Sequence, residues 1–157
     1  MKLPKSLGII KECKKYIPQC QHKCCTFHNN YIVLYPGEWE KSKLRKDHLT
    51  IIDNDYFGGK KVQCRKGNHT LSLRPCNPEI EFKPLDCRSY PYFPQINSKG
   101  KIKIIKGKKC PLTDKDLAKH RKLFLKTWNS LIKDKTIFEW LKRVKLVGYE
   151  PEKFKNK

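Results

Sequence analysis

The chain has 157 residues and sets 36 Lys and Arg against 15 Asp and Glu, a formal net charge of +21. Apolar residues make up 38%, below the usual share of about 45–50%, and no window approaches the ~20 apolar residues of a membrane-spanning helix. These totals exclude a helical membrane protein and predict a single domain with a thin core, in which eight cysteines reinforce what apolar burial leaves weak.

In chain order, residues 1–15 (MKLPKSLGIIKECKK) hold an apolar run of only four residues, too short for the core of an export signal, so the expected compartment is the cytoplasm. Residues up to about 30 carry Cys13, Cys20, Cys24 and Cys25 among Lys, Gln, His and Asn, with no apolar periodicity. Residues 31–35 (YIVLY) predict a short strand stopped by Pro36-Gly37, and residues 38–46 a short helix. Residues 49–53 and 60–64 predict a hairpin around a longer loop, 54–59 (NDYFGG). Residues 74–94 contain five prolines and predict an irregular loop that needs pinning. A second hairpin follows around Ser98-Lys99-Gly100 and delivers the chain to Cys110-Pro111.

The clearest helix begins at Thr113, an N-cap with Asp116 three residues on, a variant capping box flanked by Leu112 and Leu117 in the two staple positions. Leu117, Phe124, Trp128, Leu131 and Ile132 then trace one apolar face. A second helix is expected over about 137–146. The fold class is therefore α+β: a small irregular cysteine-rich, metal-pinned domain with short hairpins over residues 1–112, followed by a basic helical segment, 113–157, packed on it.

Charge is uneven, with 17 basic against 9 acidic side chains over residues 1–98 and 19 against 6 over 99–157. Such a surface suits an acidic protein or a nucleic acid as partner, although a charge run is often only a solvated face.

The eight cysteines are Cys13, Cys20, Cys24, Cys25, Cys64, Cys76, Cys87 and Cys110. Seven lie well before the two C-terminal helices and Cys110 stands at their threshold, so the thiols organise the irregular part and spare the part that folds by packing. In a reducing compartment, thiols this dense point to metal binding ahead of disulfides or free structural cysteines. Thiolates are soft ligands, and sets of four suit zinc or an iron–sulfur cluster. A bridge between adjacent Cys24 and Cys25 is disfavoured, because bridged Cα atoms prefer a wider separation than chain neighbours have. His22 and His28 are substitutes for a mixed site, and all eight cysteines stand as candidate ligands.

Several segments resemble the YkgJ-like cysteine-cluster family of zinc- or iron-chelating domains. They are Cys20-x3-Cys24-Cys25, the strand into Tyr35-Pro36-Gly37-Glu38, Cys64, Cys76, the run KPLDCRSYP at 83–91, and Cys110-Pro111. The 83–91 run is the most specific of these. The opening is looser than the family's CxxCxxCC and is similar to the cysteine segment of flagellin lysine-N-methylases, and Lys83 stands where an arginine is usual. The resemblance implies a bound metal, with Arg88 as a donor to a negatively charged thiolate cluster. No glycine-rich nucleotide loop, nucleophile elbow or HExxH motif is present, so a binding protein is expected before an enzyme. The alternatives are a zinc-stabilised basic nucleic-acid-binding module, and an accessory protein or enzyme of a modification reaction that uses the cluster.

Overall fold

A computed structural model describes residues 31–64, 79–108, 110, 112–146 and 148–152. They form a mixed helix-and-sheet fold with two three-stranded antiparallel sheets. In the first sheet, β1 (Ile32–Leu34) and β2 (Leu49–Tyr56) flank a central β3 (Gly59–Cys64). Ile32 pairs with Val62, and Leu49 with Cys64. A four-residue helix, α1 (Glu38–Lys41), follows β1 after Gly37, whose φ of 87° closes the turn.

The β2–β3 hairpin is tighter than NDYFGG suggests. The strands run on through Asn54 and Asp55, with register shifts at Asp53 and Tyr56, and leave only Phe57 and Gly58 as the turn. Bulges absorb the polar residues that a regular strand would reject. Gly59 follows the turn and presses against Leu34 and Trp140 so closely that a Cβ there would collide with the Leu34 carbonyl oxygen and lie 2.6 Å from Trp140 Nε1.

The proline-rich stretch, expected to be irregular, holds two regular elements. Helix α2 (Leu85–Ser89) follows Pro84, whose ring suits the entry to a helix. Strand β4 (Tyr92–Ile96) contains Pro94, tolerated because β4 is an edge strand and pairs only with β5 (Ile102–Gly107). The short strand β6 (Tyr149–Pro151) covers the other side of β5. Pro84 precedes the helix and Pro94 sits within the edge strand, and neither breaks its element.

Helix α3 (Asp114–Leu131) starts on the full capping box, with Thr113 Oγ1 accepting from Asp116 N and Asp116 Oδ2 accepting from Thr113 N. Leu117, Phe124, Trp128 and Leu131 are buried on its inner face. Helix α4 (Lys135–Leu141) is capped by Asp134, which accepts from the backbone N–H of Thr136 and Ile137. Both helices join a cluster that also holds Val33, Tyr35, Leu85, Tyr92 and Phe93. Side chains from either side of residue 112 thus share one core. A smaller cluster lies under the first sheet and consists of Ile32, Leu34, Leu49, Val62, Cys64 and Phe82.

Candidate metal centre and the frame that holds it

Cys64 is the last residue of β3 and is buried in the smaller cluster. Cys87 sits in the middle of α2 and packs against that same cluster. Cys110 packs instead against the larger one. Cys13, Cys20, Cys24, Cys25 and Cys76, with His22 and His28, lie outside the described residues. Among the described residues, no three His, Cys, Asp or Glu side chains gather as a metal site.

Two buried carboxyls set the position of α2. Glu38 Oε1 accepts from Tyr35 N at 3.2 Å and Oε2 accepts from Leu85 N at 2.7 Å. Asp86 Oδ2 accepts from Val33 N at 3.0 Å. The first amide of α2 is therefore held by the first residue of α1, and the second residue of α2 holds the middle of β1. Because β1 pairs with β3, the elements that carry Cys64 and Cys87 are tied through one short set of bonds. Both acids answer backbone N–H groups that would otherwise be buried without a partner.

Helix α3 clamps α2 from the other side. Trp128 Nε1 donates to Ser89 Oγ at 2.9 Å, and His120 Nε2 donates to the Ser89 carbonyl oxygen at 3.0 Å. Ser89 has no exposed surface. The five residues of α2, which carry the centre of the KPLDCRSYP run, are thus fixed by both halves of the chain.

The electrostatics follow from burial. Loss of water raises the Glu38 carboxyl to about 8 against the help of its two backbone donors, with the Asp86 charge adding to the rise and Arg88 opposing it. Asp86 is raised to about 7 by the same loss of water, offset in part by the Val33 amide. Burial pushes the Tyr35 phenol up and the His120 imidazole down. Arg88 is half-buried, and burial lowers its pKa while the nearby Glu38 and Tyr35 favour its charge. Its Nε is buried and has no hydrogen-bond partner among the described residues. The expected donor thus lies near the buried acid and phenol.

The cysteines were singled out by their density and Arg88 by the family resemblance, but nothing in the sequence assigned partners to Glu38 and Asp86. The one local signal was the position of Glu38, three residues after Tyr35, which lets a side chain reach back to an amide at the start of a helical turn. Comparison of the chain with known protein families, with curated proteins and with solved structures finds no match in any of the three.

Proposed function

We propose that the chain is a metal-binding protein that holds zinc or an iron–sulfur cluster through its cysteines, with Cys64 and Cys87 among the ligands. The observation that carries the reading is that these two residues, from either side of the 65–78 segment, pack in or against the same apolar cluster on elements that are both bonded to β1. Sulfur donors in water-poor surroundings suit a soft metal. The carboxyls beside them, Glu38 and Asp86, are committed to backbone amides. Cys13, Cys20, Cys24, Cys25 and Cys76 would complete the set, and Cys110 would join a second site. Zinc would supply a structural crosslink and a cluster would supply an electron-carrying centre. Arg88, on the residue after Cys87, would offset the negative charge of gathered thiolates. The resemblance of residues 83–91 to the YkgJ-like signature points the same way.

Metal analysis and a visible spectrum on protein purified without oxygen test this. Iron with sulfide and broad visible absorption is the result expected for a cluster, and colourless protein with zinc for a structural site. Cys64→Ser and Cys87→Ser should each strip most of the metal during dialysis against a mild chelator. Metal-free protein whose thiols react with a label only after reduction would sink the proposal in favour of disulfides.

A further inference from the structure

A cleft of about 340 Å³ opens between the β2–β3 turn and α4, lined by Phe57, Lys135, Thr136, Glu139, Trp140 and Arg143. Its odd member is Phe57. Phe57 and Gly58 have φ of 54° and 93°, so both central residues of the turn are left-handed, a geometry that Asn, Asp and Gly adopt readily and a bulky side chain resists. The ring is nevertheless 50% exposed, with Tyr56 on one side at a centroid distance of 4.8 Å. Neither backbone preference nor burial explains a phenylalanine at this position.

The turn is fastened in place. Trp140 Nε1 donates to the Tyr56 carbonyl oxygen at 3.1 Å, the Tyr56 hydroxyl accepts from Lys145 N at 3.2 Å, and Gly59 sits hard against the Trp140 ring. Lys135 and Arg143 are exposed, and neither has an ion-pair partner among the described residues. The carboxylate in the cleft, Glu139, pairs with Lys142 at 3.5 Å. The cleft therefore presents a rigid aromatic face with uncommitted cations beside it, on a chain of net charge +21.

We propose that this cleft binds single-stranded nucleic acid, with one base stacked on Phe57 and the adjoining phosphates held by Lys135 and Arg143. A ring at a hairpin tip reaches the face of an unpaired base, whereas the faces of bases inside a duplex are covered by their neighbours. An acidic peptide would use the cations and leave the ring idle. A single exposed ring is also too little apolar area to hold a membrane surface. None of the six lining residues is a cysteine, and the proposal stands whether or not the cysteines hold a metal.

The test is fluorescence anisotropy of a short labelled single-stranded RNA with the full chain as purified, across a salt series. Phe57→Asn places a residue suited to the left-handed turn, so its melting temperature should hold or rise while its affinity falls about tenfold. Phe57→Trp should bind as well as the parent. Arg143→Gln should weaken binding and flatten its dependence on salt. Inorganic polyphosphate, which has charge and no bases, should compete poorly. The proposal is overturned if Phe57→Asn binds like the parent, if polyphosphate competes as well as unlabelled RNA, or if the protein ignores RNA and binds anionic phosphatidylserine vesicles instead.

Discussion

Glu38 is a carboxylic acid placed where water cannot reach it, and its environment favours the protonated form. Its folded-state pKa of about 8 lies above the ordinary 4.5, so the folded chain holds a proton that the unfolded chain releases. This contribution to stability is full below about pH 4.5, the ordinary value, and is lost as pH rises towards 8. Asp86 acts with the same sign up to about 7. Urea unfolding between pH 5 and pH 8 should therefore show stability falling as pH rises, by up to about 1.4 kcal/mol per pH unit for each group between its two pKa values. Glu38→Gln cannot titrate and loses one good acceptor, so it should be less stable than the parent at pH 5 but fall less steeply towards pH 8. Parallel pH profiles for the two proteins would show that Glu38 is ionised throughout. The single-residue features differed in how far they could be read from sequence. The capping box at Thr113 and Asp116 was legible because both partners sit within one turn of the chain. The bonds of Glu38 to Leu85 and of Asp86 to Val33 were not, because a backbone amide carries no residue label and the partners lie some fifty positions away.

At the level of elements, the hairpin around Ser98-Lys99-Gly100 and the start of α3 could be read directly, since each rests on local turn or cap chemistry. The β2–β3 hairpin was harder, because Asn54 and Asp55 read as loop residues and only pairing with β3 makes them strand. Helix α2 and strand β4 were hidden by their prolines, whose positions at a helix start and on a sheet edge are tertiary facts. The seating of the β2–β3 turn on α4 gives a test at this scale. Gly59→Ala would drive a methyl group into Leu34 and Trp140, neither of which can retreat, since one is backbone in a strand and the other is held by its bond to Tyr56. A loss of roughly 1–3 kcal/mol in urea unfolding is expected. An unchanged midpoint would mean that the turn does not rest on Trp140.

Across the whole molecule, apolar burial is divided unequally. The larger cluster has both helices and three aromatic rings from α3 and α4, whereas the smaller has six buried side chains, one of them Cys64. A cluster that small is weak by itself, and a crosslink through Cys64 and Cys87 would act where packing is thinnest. If those thiols hold a metal, its removal should speed amide exchange in β2 and β3 by at least about tenfold while α3 stays protected, as measured by hydrogen exchange with mass spectrometry. Uniform loosening of the chain, or none, would count against a metal in that position. The charge is organised at this scale too. Lys115, Lys119, Lys122 and Lys126 are exposed at helical spacing along the outer face of α3, which accounts for part of the basic excess of residues 99–157 without any role in the core.

The close seat of Gly59 has a practical side. Among the described residues are two hairpin tips that look alike on paper, and they are not interchangeable as attachment points. At one, the chain is wedged between a strand and an indole and accepts no added atom. At the other, Ser98 and Lys99 face solvent and the turn is closed by Asn97, whose Oδ1 accepts from the amides of Lys99 and Lys101. A fluorophore, an affinity tag or a surface tether belongs at residues 98–99, where the side chains already face solvent.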